Sequence, residues 1–142
     1  MKTLYTANVT TIAGRDGTSK SDDGKIDLKL GRPGSSDSGT NPEQLFAAGY
    51  SACFGSAIAH VAKSEKIDVK EVQVQAKVNL NQDEQTGFSL SVVLDVSLQG
   101  VDDATAQKLV EKAHTVCPYS KATKGNIDVQ LNAHGSSAKA AA

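Results

Sequence analysis

The residues with the most chemistry to offer are two cysteines, Cys53 in AAGYSACFGSA and Cys117 in HTVCPYSKAT. A thiol becomes a nucleophile as its thiolate, which needs a nearby cation, a helix N-terminus or a metal. The two thiols could also pair as a disulfide, although sequence alone shows no proximity. Each has a plainer reading. Free cysteine is among the most buried residue types, so Cys53 could be a small wall residue. Cys117 precedes Pro118, which biases it to an extended backbone at a helix break, where it could simply cap or pack. His60 lies about 10 Å further along the same helix, too far to serve Cys53 as a base. Zinc needs about four ligands. The two cysteines and three histidines (His60, His114, His134) show no Cys-x-x-Cys spacing, so no metal site is expected.

Two charged residues are the next candidates. Arg15 lies in a Gly-flanked turn, GRDG at 14–17, and by itself reads as a solvated loop residue. Glu43 reads as a first-turn carboxylate facing the positive end of a helix dipole. There is no Gly-x-Ser-x-Gly elbow, Walker loop or dinucleotide fingerprint.

The element that must position Cys53 runs from Thr40 to Lys66. Asn41 can cap it, Pro42 suits the first helical position, and Glu43 suits the first turn. Leu45, Phe46, Tyr50, Phe54, Ile58, Val61 and several alanines then make it apolar or small on every side, which predicts a buried helix. Glu43, Gln44, Ser51, Ser56 and His60 interrupt the run and argue against a membrane span. Before it, residues 3–13 and 25–30 read as strands, with a polar stretch from Thr18 to Asp23 and a loop over 32–39. After it, Val72 to Leu80 and Leu90 to Leu98 alternate as two half-buried strands joined by a hairpin loop, NQDEQTG. Asp102 or Asp103 can cap a second helix with Ala106, Leu109, Val110 and Ala113 inward. Pro118 ends it, a short turn or helix holds CPYSKAT, and NIDVQLNA is a last strand.

That order predicts an α+β fold with mostly antiparallel sheet around long central helices. The 142 residues suit one domain over 1–134, with 135–142 a disordered tail. A helix apolar on all sides is hard for one such chain to cover, so a homodimer packing its central helices together is expected. A net charge of −1, with no basic stripe and no polybasic run, points away from nucleic acid and lipid surfaces. The N-terminus alternates and carries no apolar signal core, and a single cysteine pair suits a cytoplasmic redox protein or an inert one.

The segments NPEQLFAAGYSACF (41–54) and VCPYSKATKGNIDV (116–129), with GRDG (14–17), resemble the organic hydroperoxide resistance proteins, the Ohr branch of the Ohr/OsmC family. The resemblance extends to about Ala133. It departs at Lys121 and Lys124, where the family pattern has Asn and Arg. It implies an OsmC-like fold in an intertwined homodimer and a cytosolic thiol peroxidase for organic and fatty-acid hydroperoxides. Cys53 would be the peroxidatic cysteine, Cys117 the resolving one, and Arg15 with Glu43 the activating pair. The reductant would be a dihydrolipoyl group, as dihydrolipoamide or a lipoylated protein, with no bound cofactor, metal, haem or flavin.

The chemistry of those residues fits the implied roles. A guanidinium favours a thiolate and the alkoxide leaving a broken O–O bond, and a carboxylate can orient it through a bidentate pair. Phe46, Tyr50 and Phe54 are the candidates to line a pocket for an alkyl tail. Glu43 and Cys53 are about 15 Å apart along a continuous helix. The reading therefore expects a helix break near Gly49, Glu43 from a second chain, or an Arg15 that spans much of the gap. A break would also place Cys53 in a first helical turn, where the dipole lowers a thiol pKa. Two other functions remain open on the residues alone: a dimeric binding protein for small apolar ligands, and a sensor that switches on a Cys53–Cys117 disulfide.

Overall fold

The computed structural model describes residues 1–36 and 39–136. The order is β1 (Val9–Ile12), β2 (Thr18–Ser21), β3 (Asp27–Lys29), α1 (Pro42–Ser64), β4 (Glu71–Asp83), β5 (Gly87–Gln99), α2 (Asp103–Val116), α3 (Pro118–Thr123) and β6 (Val129–Ser136), with a 3₁₀ turn at Gly14–Asp16. The α+β class is as expected. The chain forms two compact units, Met1–Leu45 and Phe46–Ala142.

The first unit is an antiparallel sheet in the order β1-β2-β3. Its first strand covers only part of 3–13, and β2 falls in the polar stretch 18–23 that gave no strand signal. Thr18, Ser19, Lys20 and Ser21 pair with Ile12, Thr11, Thr10 and Val9, and within the strand only Ser19 is buried. The turn between these strands is tight. Ala13 and Gly14 both take positive φ, 62° and 53°, and a Cβ at Gly17 would stand 1.7 Å from the Ile12 carbonyl oxygen. Glycine is required at 17 by that approach, and the result is a rigid corner with Arg15 at its tip.

The second unit is built on β4-β5-β6, with β4 and β5 antiparallel and β6 parallel to β5. The hairpin is tighter than NQDEQTG suggested. Strand pairing continues to Asp83↔Gly87, Asp83 Oδ1 accepts the backbone N–H groups of Gln85 and Thr86, and Gly87 takes φ 82°. Val92, Leu94, Val96 and Leu98 of β5 face Ala106, Leu109, Val110 and Ala113 of α2 in one core. Asp102 caps α2 by accepting from the Thr105 N–H at 2.8 Å. β6 runs through Ser136, two residues into the expected tail; residues 137–142 lie outside the described residues.

Helix α1 starts as read: Asn41 Oδ1 accepts the Gln44 N–H at 2.8 Å and Pro42 follows. It ends in a Schellman turn, with Lys66 at φ 57° and N–H bonds from Ile67 to Ala62 and from Lys66 to Lys63. By length and composition it could cross a membrane. Instead Tyr50, Phe54, Ala57, Ile58, Val61 and Ala62 form one core-facing stripe. The opposite face of small residues stays open in this chain.

The expected break near Gly49 is absent. The helix is continuous from Pro42 to Ser64, so Cys53 is mid-helix and gains nothing from the N-terminal dipole of α1. Gly49 serves packing instead. A Cβ there would lie 2.6 Å from the Tyr119 hydroxyl and 3.0 Å from its Cζ, so the glycine lets the Tyr119 ring lie against the helix.

Candidate active site

In the first unit, the rigid β1–β2 corner presents Arg15 to Glu43. Arg15 Nη1 and Nη2 donate to Glu43 Oε2 and Oε1 at 2.9 and 2.5 Å. The pair forms within one chain, so Arg15 needs no second copy to meet Glu43. The corner is braced by Arg32, which donates from Nε and Nη2 to both oxygens of Asp16 at 3.0 Å. Arg15 keeps 36% of its side-chain exposure and Glu43 13%. The hydrogen bonds from Arg15 hold the Glu43 carboxyl below its usual range, against the opposing effect of burial.

In the second unit, the two cysteines meet. Cys117 is the junction of α2 and α3: its N–H closes α2 on the Ala113 carbonyl, its extended backbone (φ −63°, ψ 123°) turns the chain, and Pro118 opens α3. The Cys117 thiol donates to the Cys53 sulfur at 3.5 Å. Both are free thiols, Cys117 buried and Cys53 partly exposed. A disulfide needs about 2.05 Å between sulfurs, so a small approach would close the bond. Burial pushes the Cys53 thiol above its ordinary value. The Tyr119 backbone N–H, facing the sulfur from the first turn of α3, pulls it down, and the adjacent Cys117 pushes it up again. Within this unit the net direction is up, toward the protonated thiol.

Tyr119 also joins the thiols to an apolar cavity of about 620 Å³. It is lined by Phe46, Phe88, Leu90, Pro118, Tyr119 and Ile127, among others. The volume is that of a small-molecule site.

The OsmC-like protein family model matches residues 34–132. The organic hydroperoxide resistance protein OhrB of Bacillus subtilis (strain 168) is 48% identical over 132 residues, covering 90% of this chain and 96% of that protein. The chain belongs to the organic hydroperoxide resistance branch of the OsmC-like family. The crystal structure of the same OhrB matches with a TM-score of 0.87 over 92% of this chain and 98% of that one. An organic hydroperoxide resistance protein from Elizabethkingia anophelis, solved with thiocyanate bound, matches with 51% identity and a TM-score of 0.87, covering 96% and 99%.

Within this Ohr-branch chain, the residues singled out from sequence fall into two groups. Arg15 meets Glu43, and Cys53 meets Cys117. Of the three aromatic candidates for the pocket, only Phe46 lines the cavity. Tyr50 and Phe54 are fully buried in the core, because their spacing places them on the inward stripe with Ala57, Ile58 and Val61. The rest of the lining includes Leu90 and Ile127, read from sequence only as strand residues, Phe88, which the sequence reading gave no role, and Tyr119. No cluster of three or more His, Cys, Asp or Glu side chains suited to a metal occurs among the described residues.

The Glu43 direction makes a stability prediction. A carboxyl depressed by folding stabilises the native state above its unfolded value, near 4.3, and that contribution is lost as pH falls through the lower folded value. The urea midpoint of the native chain should exceed that of Glu43→Gln by a steady, small margin at neutral pH, and the margin should close below about pH 4. A margin unchanged at low pH would show that the pair contributes nothing through charge.

Proposed function

We propose that the chain is a thiol peroxidase for organic hydroperoxides, including fatty-acid hydroperoxides. The observation that carries this reading is the pair of free thiols 3.5 Å apart, with Tyr119, whose backbone N–H faces Cys53, also lining an apolar cavity. Relatives of about half identity named for organic hydroperoxide resistance support it.

In the first step the Cys53 thiolate attacks the terminal oxygen of ROOH. The O–O bond breaks, Cys53 becomes a sulfenic acid, and the departing alkoxide takes a proton to leave as ROH. Arg15, oriented by Glu43, supplies the positive charge that favours the thiolate and the developing alkoxide. Cys117 then attacks the Cys53 sulfur. The S–S bond forms, the S–O bond breaks, and water leaves before further oxidation. A dihydrolipoyl group, as dihydrolipoamide or on a lipoylated protein, returns two electrons and two protons by thiol exchange.

We further propose a homodimer. Its support is the open face of α1, where Ser51, Ala52, Gly55, Ser56 and Ala59 line a groove of about 460 Å³ with Val72 and Val74. Exposed Leu4, Tyr5, Ile12 and Phe88 point the same way. A single cysteine pair in a chain of this length suits the reducing cytoplasm.

The test is consumption of tert-butyl hydroperoxide and a fatty-acid hydroperoxide by the purified protein with excess dihydrolipoamide. Many turnovers are expected, with hydrogen peroxide markedly slower because it has no tail to fill the cavity. Consumption that stops at one equivalent would favour the sensor. No consumption would leave a binding protein for apolar ligands.

A further inference from the structure

A buried hydroxyl cluster in the second unit has no part in that reaction. Tyr50 of α1 is 0% exposed, and Ser120 and Thr123 of α3 are 1% and 4% exposed. His114 of α2, half-buried, completes it. The contacts are His114 Nδ1 to Ser120 Oγ at 2.8 Å, Tyr50 Oη to Ser120 Oγ at 2.9 Å and Tyr50 Oη to Thr123 Oγ1 at 3.3 Å. Thr123 Oγ1 also donates to the Ser120 carbonyl at 3.1 Å.

Counting protons assigns the histidine. The Thr123 proton is committed to the Ser120 carbonyl. If Nδ1 carries a proton, it donates to Ser120, Ser120 to Tyr50, and Tyr50 to Thr123, so every contact is made. If Nδ1 is bare, the Ser120 proton goes to the imidazole, the Tyr50 proton to Ser120, and the Tyr50–Thr123 contact has none. The Nδ1–H form makes one more hydrogen bond in this buried cluster, so the cluster favours it. Burial and the charge of Lys124 hold His114 below its ordinary value, which makes that form the neutral tautomer.

The cluster acts on the thiols through α3. A helix of six residues cannot hold itself. Among the described residues, its side-chain hydrogen bonds to other helices all run through Ser120 and Thr123. The same helix begins at Cys117 and carries the Tyr119 N–H that faces Cys53. We propose that His114 is a positioning residue for disulfide formation: through Ser120 and Tyr50 it pins the first turn of α3 to α1 and keeps Cys117 seated against Cys53. The inference rests on the thiol-pair reading of the site. The step it governs condenses Cys53–SOH with Cys117–SH to a disulfide and water, using only the oxidation already delivered by the peroxide.

The experiment uses the full chain and the variants His114→Asn, His114→Leu and Ser120→Ala, with folding checked by circular dichroism melts. Reduced protein is oxidised in a single turnover by tert-butyl hydroperoxide. Sulfenic acid is trapped with dimedone, and disulfide and sulfinic acid are measured by mass spectrometry. A second arm drives the disulfide with diamide and needs no peroxidase chemistry. Cys53 oxidation should stay within about twofold of the native rate, while disulfide formation slows about tenfold or more in His114→Leu and Ser120→Ala, as expected of a misplaced reacting group. Sulfinic acid should accumulate in those two. His114→Asn should approach native behaviour, because its amide N–H stands where Nδ1–H stood. Native disulfide rates in His114→Leu and Ser120→Ala would overturn the proposal, as would His114→Asn failing as badly as His114→Leu. If the native chain forms its disulfide with diamide and not with hydroperoxide, the peroxidase reading falls, and the diamide order still decides the role of His114.

Discussion

Cys53→Ser is expected to abolish hydroperoxide turnover, a fall of at least about a thousandfold, because a neutral hydroxyl is a poor nucleophile beside a thiolate and has no disulfide route back. The measurement is peroxide loss with excess dihydrolipoamide, together with single-turnover mass spectrometry. The substitution is nearly isosteric, and Cys53 lies on the partly exposed side of α1, so the fold should survive and the loss should be chemical. Cys117→Ser provides the contrast. Its first attack on peroxide should persist, while cycling with dihydrolipoamide falls and sulfinic acid builds at Cys53. Full activity in Cys53→Ser would remove the thiol from the reaction altogether.

The second large effect is expected at Arg15. The surroundings of Cys53 in its own unit push the thiol up, with only the Tyr119 N–H acting the other way. A peroxidatic thiol therefore needs a cation from elsewhere, and Arg15 is the residue already held in a bidentate clamp. Arg15→Ala should lower the rate of attack on tert-butyl hydroperoxide by about a hundredfold to a thousandfold, the scale of losing one preorganised donor to a developing oxyanion. The midpoint of the pH profile for Cys53 alkylation by iodoacetamide should move upward in the same variant. Arg15→Lys should recover only part of the rate, since an ammonium keeps the charge and loses the fork. Glu43→Gln should lose less than Arg15→Ala, because Glu43 orients the guanidinium and opposes some of its field. A native rate and an unmoved alkylation profile in Arg15→Ala would make Arg15 the solvated turn residue that its local sequence also allows.

Much of the fold was legible because it is written in local rules. Asn41-Pro42 and Asp102 mark helix starts by capping chemistry, and the alternation through β4 and β5 names their inner faces. What escaped had no local signature. β2 is a run of Thr, Ser and Lys held by pairing on both sides, so its strand character comes from neighbours. Gly49 looked like a break, since glycine weakens helices; its reason is the ring of Tyr119, a contact distant in sequence. The site divided along the same line. The cysteines were conspicuous by rarity, and the Arg15–Glu43 pair came through the family motif rather than through composition. Tyr50 and Phe54 are core residues rather than pocket residues, a distinction that aromatic type alone does not carry, since it says nothing about which side of a helix faces the core. His114 carried no signal beyond its type, since its meaning depends on two hydroxyls of a helix that follows it.

On the proposed thiol cycle, the unequal exposure of the two thiols sets the direction in which a Cys53–Cys117 disulfide is opened. Cys117 is wholly enclosed, while Cys53 keeps access to the outside. An incoming thiol can collide only with the Cys53 side of the bond, so the buried sulfur is the one expelled. On that cycle the transient adduct is tethered to Cys53, and the departing Cys117 sulfur is released into the protein interior. Bulky reductants are sorted by whether they reach a single sulfur atom, and the order of bond breaking is dictated by access before any difference in thiol acidity enters.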